Sequence, residues 1–445
     1  MVEDVLFSII WISLPFIWHY LLKTAGLSLF RLTIPSFVII AIYVYQYIGI
    51  PALYFKLNSY RAEFVVDKWL MMEVFFYTSL MITMMCMGFI LARQLFGKLK
   101  LNDAGGVHLS RNYLSRINAG VLLLILISLA VLVYYLSKIG VANVAFLVAT
   151  GISENHLSSQ ELRSNMGNAF DGRYHWYKLF MNDLLVFSLL TLLSRYLMLK
   201  NVTTTIMLIG ALLTTTFVMI MAMEKAPMAD LFIALFLVYI LVKLNGEVPI
   251  KKTLYLFLLL LSMLSSFYVF FMNSESFFMS INSVLSRTFT GQIQPAYHYL
   301  DYFKNHDLLL GRSFPNPRDV FPFQHFRLTQ EIMAWHNPAL SLNGIVGSMP
   351  TVFWGEMYAN FGFFGVPISS LLVGFGLYSL NAVLLRFKKT PMFIGLYVWL
   401  LMHFKTLSGT GLSNFMLDTY MALIIMAFFG LSFYAGLGKI KYNNK

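Results

Sequence analysis

The sequence predicts an all-α polytopic membrane protein, and three observations predict it. The 445 residues are 58% hydrophobic and 12% charged, with mean hydropathy +0.71, where soluble domains carry about 25% charged residues. Apolar runs of the length that crosses a bilayer, about 17–25 residues, recur along the whole chain. Lysines and arginines gather in the short segments between those runs, the distribution that orients membrane proteins. The net charge of +12 therefore reads as a topology signal and not as a nucleic-acid footprint.

Taken in order, the apolar runs cover 5–22, 32–52, 69–92, 117–137, 180–199, 202–223, 227–245, 253–272, 366–386, 391–408 and 414–437. That predicts about eleven spans, with a twelfth candidate in 340–360. Arg93, Lys98, Lys100, Arg111 and Arg116 lie between the third and fourth runs, against one acid, Asp103. Further basic loops hold Lys23 and Arg31, Arg195 and Lys200, Lys243 with Lys251 and Lys252, and Arg386 with Lys388 and Lys389. These alternate along the chain only if the C-terminus is cytoplasmic and 273–365 is external. The opening MVEDVLFSII lacks a basic leader and a cleavage site, so no removable signal peptide is expected. Cys86 falls inside an apolar run and reads as a small apolar side chain. No linker or internal repeat divides the chain, so 1–445 reads as one transmembrane domain carrying two external loops, 138–179 and 273–365.

The loop 273–365 precedes the last three spans and is the longest stretch that cannot lie in lipid. It carries Pro295, Pro315, Pro317, Pro322, Pro338 and Pro350, four histidines, and the cations Arg287, Lys304, Arg312, Arg318 and Arg327. Three parts are expected within it. In LSRTFTGQIQPAYHYLDYF, the positions Arg287, Gln294, His298 and Asp301 would share one face of a continuous helix. GRSFPNPRDVFPF is too rich in Gly and Pro for regular structure and would form an arginine-bearing loop. GSMPTVFWGEMYANFGFFG would be a short helix dipping into the membrane and turning at Gly362–Gly365, with Glu356 at shallow depth, where an ionisable group is costly and points to function. The first external loop contributes Arg163 and Arg173, the latter beside an aromatic belt of Tyr174, Trp176 and Tyr177. Arginine offers a planar fork that meets two phosphate oxygens at once. The set therefore suits a phosphorylated, membrane-held substrate.

No Walker A sequence, HExxH, Cys/His cluster, GxSxG or external DxD pair is present. The chemistry expected is metal-independent and uses no cofactor, with the donor already activated.

The stretches GRYHWYK (172–178), MEKAPM (223–228), LSRTF (285–289), LLGRSFPNP (309–317) and WGEMYANFGFFG (354–365), set in this topology, resemble the Wzy-type O-antigen polymerases. These are integral-membrane, lipid-carrier-dependent glycosyltransferases. The resemblance implies transfer of a growing glycan from polyprenyl diphosphate to a sugar hydroxyl of a second lipid-linked repeat unit, at the external face of a bacterial inner membrane. It implies polyprenyl-diphosphate oligosaccharides and membrane lipids as partners, with a chain-length regulator protein as a further candidate. Arg173, Lys225 and Arg287 would stabilise the leaving diphosphate, with lysine standing at 225 where the family has arginine. Arg312, Arg318, Arg327 and Arg163 would hold carrier or glycan. His336, His298 and Glu356 compete as the base that activates the acceptor. The family's R-x10-G spacing is absent. A second reading is the related O-antigen ligase, whose His-Asn then GxxG pattern is approached by His336-Asn337 and Gly344 to Gly347. A third, from a different class, is a lipid-linked oligosaccharide flippase or other transporter.

Overall fold

The computed structural model describes residues 2–58, 61, 63–99, 110–139, 174–221, 225–272, 276–338 and 347–436. Among them the chain is all-helical, and ten helices are long and apolar enough to cross a membrane. This is a multi-pass α-helical membrane protein. The helices are α1 (Val2–Thr24), α2 (Ile34–Tyr54), α3 (Lys68–Phe96), α4 (Arg111–Ile139), α5 (Trp176–Met198), α6 (Val202–Met221), α7 (Lys225–Lys243) and α8 (Ile250–Met272). Then come α9 (Phe277–Leu285), α10 (Gln294–Lys304), α11 (Leu328–His336), α12 (Phe353–Leu384), α13 (Pro391–Lys405) and α14 (Thr419–Gly436).

The expected spans and these helices coincide to within a few residues, with two differences. The run expected over 391–408 gives α13 with only 15 helical residues, about 22 Å at 1.5 Å per residue and short of a hydrocarbon core of about 30 Å. The region 340–360 holds no separate twelfth span among its described residues, because 353–361 is the first part of the 32-residue α12.

The chain divides into two compact units, each discontinuous in sequence. One comprises Met1–Lys100, Asn282–Arg386 and His403–Asp418; the other comprises Leu101–Ile281, Phe387–Met402 and Thr419–Lys445.

In the first unit, α3 and α12 pack along each other at backbone distance. A Cβ at Gly88 would stand 2.2 Å from the Leu371 carbonyl oxygen, and one at Gly374 would stand 2.2 Å from that of Met85. Small residues at a crossing let helices approach where lipid supplies no hydrophobic drive. Helix α2 starts on a Thr33 cap, whose side chain accepts from the Ser36 N–H. It loosens into a π-turn over Tyr43–Tyr47 just before Pro51. Pro51 has no N–H for the Tyr47 carbonyl, and the Trp11 indole donates to that oxygen instead, at 3.3 Å.

The long polar segment has a small core of its own. Tyr299, Tyr302 and Phe303 of α10 pack with Leu309, with Leu328 and Ile332 of α11, and with Ala359 of α12. Helix α10 is moored on α3: the Asp67 N–H donates to the Tyr297 hydroxyl at 2.9 Å, and Lys304 lies 3.7 Å from Asp67 and 3.8 Å from Glu73.

In the second unit, α5 carries a π-turn over Leu179–Leu184, and Asp183 within it accepts from the Trp399 indole at 3.2 Å. Gly395 of α13 lies against Thr191 of α5, where a Cβ would stand 2.4 Å from the threonine hydroxyl.

Candidate functional site

Glu356 lies in the first turns of α12 and is 4% exposed. Its Oε1 accepts from the Ser313 hydroxyl at 2.8 Å, and its Oε2 accepts from the Ser413 N–H at 2.9 Å. Gly411 closes one side, since a Cβ there would stand 2.5 Å from Oε2. A buried carboxylate costs several kcal/mol unless its lone pairs are met, and two loops meet them here. Among the described residues no arginine pairs with Glu356.

One turn later, Asn360 is fully buried. Its Nδ2 donates to Ser313 Oγ and to the Glu356 carbonyl, both at 2.8 Å, and its Oδ1 accepts from the Gly311 N–H at 2.9 Å. Helix α12 then breaks at Gly362, with φ +62° and ψ −147°. That region is essentially restricted to glycine. The break leaves carbonyls at the end of the first segment without helical partners. Those of Ala359 and Asn360 accept from the Leu309 and Leu310 N–H groups at 2.9 and 3.0 Å. The segment 309–313 is thereby strapped onto the broken helix. A turn at Gly362–Gly365 was expected from NFGFFG, and the break falls at the first residue of that turn.

The single polar-faced helix expected from Arg287 to Asp301 is not formed. The chain runs from α9 into a π-turn over Ser286–Thr290, then a turn, and α10 begins only at Gln294 with Pro295 in its first turn. Pro295 cannot donate to a preceding carbonyl, and Gly291 sits under the Arg61 guanidinium, where a Cβ would lie 2.6 Å from Cζ. The four positions therefore part company. Arg287 is exposed, whereas Gln294 and His298 are buried. Gln294 Oε1 accepts from Arg61 Nη1 at 3.0 Å, while Arg61 Nε donates to Ser286 Oγ at 3.1 Å.

His298 and His336 do come together, with ring centroids 3.8 Å apart and planes tilted by 36°. His298 is 2% exposed, and its Nε2 has no hydrogen-bond partner. Burial, and then the neighbouring His336, push its imidazole down to about 3, so it is neutral near neutral pH. His336 is half-buried. Burial lowers it too, while the Asp301 carboxylate acts in the opposite direction.

Arg287, Arg312, Arg318 and Arg327 are exposed, and among the described residues none has a carboxylate partner. The Phe326 N–H donates to the Arg312 carbonyl at 2.8 Å, which ties the backbone beside Arg327 to that at Arg312. Arg318 has φ +56° and lies at the tip of the proline-rich loop. Arg163, Arg173 and the loop from 140 to 173 lie outside the described residues, as does most of the Gly344–Gly347 stretch. Lys225 starts α7, and its side chain also lies outside them.

The sequence reading gave no role to Arg61, Gln46, Ser313, Asn360 or the short loop 406–413. Gln46, fully buried in the α2 π-turn, donates to the Gln292 carbonyl at 3.2 Å and to the Ser408 carbonyl, and its Oε1 has no partner. The run Ser408-Gly409-Thr410-Gly411-Leu412-Ser413 was the available signal. Its glycines give the backbone access to Gln292 and Glu356, and its serines supply hydrogen-bonding groups.

No known family matches the chain, and no curated protein or solved structure matches it.

Proposed function

We propose that the protein is a bacterial inner-membrane polymerase of lipid-linked oligosaccharide repeat units, with 273–365 on the external face. One observation carries this reading beyond the resemblance in sequence. The stretches LLGRSFPNP and WGEMYANFGFFG, which carry that resemblance, meet at Glu356, Ser313, Asn360 and Gly311 in one buried hydrogen-bonded node.

In the proposed reaction an acceptor sugar hydroxyl attacks the anomeric carbon of the growing glycan. The bond from that carbon to the diphosphate oxygen breaks, and polyprenyl diphosphate leaves with its negative charge. Cations placed where that charge develops are the main source of rate. Arg287, Arg312 and Arg327 serve this part, being exposed and unengaged by carboxylates. The acceptor proton passes to His336. Of the two imidazoles it is the more accessible, and Asp301 favours its charged form. His298 is held neutral and stays a packing neighbour of His336. Glu356 has both oxygens engaged and positions the 309–313 strap against the 406–413 loop.

Purified protein given only lipid-linked repeat units should lengthen them on the carrier, read as a ladder of carrier-lipid products. Failure to lengthen them, together with transfer to a lipid A-type acceptor, would favour the ligase.

A further inference from the structure

The second unit holds a basic cluster, buried at Arg195 and Lys389 and half-buried at Arg116, that the proposed transferase reaction does not use. Arg195, in the last turn of α5, is 4% exposed. Its Nη1 donates to the Thr204 hydroxyl at 3.0 Å, and its buried Nε has no hydrogen-bond partner. Arg116, in the second turn of α4, also has a buried, unpartnered Nη1. Among the described residues neither guanidinium has a carboxylate partner.

Contacts one turn away place both arginines near the start of α13. Thr191, one turn before Arg195 on the same face of α5, lies against Gly395, one turn into α13. Tyr113, one turn before Arg116 on α4, hydrogen-bonds Thr390. Thr390 is the residue before α13, and its hydroxyl accepts from the Phe393 N–H at 3.3 Å. Beside it Lys389 is 6% exposed. These contacts bring two guanidiniums, an ammonium and the positive end of α13 to the same end of the unit.

A buried arginine left with an unpaired N–H costs free energy, and an anion recovers it best because it meets both the donor and the charge. The positive-inside pattern explains why cations populate these loops, but it leaves them in water or headgroups and does not explain why they are packed inside the protein. We propose that this cluster is a binding site for a phosphate group, either the headgroup of an anionic lipid or a soluble phosphate. The planar fork of arginine suits two phosphate oxygens at once. The charge pattern of the sequence assigns these helix ends to the cytoplasmic side, so the site would take its ligand from the inner leaflet or the cytoplasm.

The test is the thermal transition of the purified full-length protein in two arms. One arm compares nanodiscs of phosphatidylglycerol with nanodiscs of phosphatidylcholine. The other adds inorganic phosphate in neutral detergent, against chloride at equal ionic strength. Phosphatidylglycerol alone raising the transition identifies a lipid headgroup, and phosphate alone raising it identifies a soluble ligand. In either case Arg195→Gln and Arg116→Gln should each lose more than half of the rise, while Lys251→Gln, which removes an exposed cation of α8, should keep it. If Arg195→Gln does not fold, Arg116→Gln carries the comparison. No rise in either arm, or an equal loss in Lys251→Gln, would overturn the proposal.

Discussion

Glu356 and Arg195 are buried to the same degree, each 4% exposed, and the protein serves them differently. The carboxylate has donors on both oxygens, from loops 43 and 57 residues away in the chain. The guanidinium has one hydroxyl partner, nine residues away, and a bare Nε. The first charge is closed by the fold and works as an organiser. The second is left open, as a group that waits for a ligand is. Burial alone does not distinguish a structural charge from a binding one; the inventory of partners does.

The largest effect should come from breaking the closed charge. Glu356→Ala leaves the Ser313 hydroxyl and the Ser413 N–H without an acceptor, at about 1–3 kcal/mol each. It should lower the thermal transition by the same amount in phosphatidylglycerol and phosphatidylcholine nanodiscs, and loosening of the two loops should cut polymer yield about 100-fold. A loss that depended on lipid charge would erase the contrast with Arg195. Next, Gly362→Ala forces a side chain into a glycine-only conformation, at about 1–3 kcal/mol. Hydrogen exchange at Leu309 and Leu310 should speed up, since their N–H groups are held by the carbonyls at the helix break. Unchanged exchange would mean that the strap does not depend on the break.

A third buried group, His298, lies between the two cases, being uncharged and with an unpartnered Nε2. Its folded value of about 3 lies below its ordinary 6.5, so the unfolded chain binds the proton first. Its contribution is complete above about pH 6.5 and is lost as pH falls towards 3. His298→Phe should flatten the loss of thermal stability between pH 6.5 and 4; an unchanged slope would show that another group sets it. The smallest effect on stability is expected at the exposed arginines. Arg312→Ala and Arg327→Ala should stay within about 0.5 kcal/mol of the parent yet shorten the glycan ladder. Full-length ladders from the double variant would remove both from the site.

The spans were legible because a run of some twenty apolar residues leaves few alternatives in a membrane protein. The break at Gly362 was legible in NFGFFG for a local reason, a glycine where a helix must stop. What the sequence hid was long-range. Nothing local pairs the Ser313 hydroxyl or the Ser413 N–H with Glu356, since those contacts span 43 and 57 residues. The face joining Arg287 to Asp301 was drawn through Gly291 and Pro295, and local turn chemistry there prevailed over periodicity. Arg61 went unnoticed because Ser286 and Gln294, to which it donates, lie far along the chain. The division into two units left no linker to find, because each unit is assembled from three separate segments.

The central claim is that this chain joins lipid-linked glycans, with the Glu356 node holding its loops in place. The most direct measurement gives the purified protein lipid-linked repeat units as the sole substrate and resolves the carrier-lipid products by size. A ladder of two or more repeats from the parent protein, collapsing to single units in Glu356→Ala that remains membrane-inserted, is the predicted result. Single units from the parent, or an undiminished ladder from the variant, would contradict it.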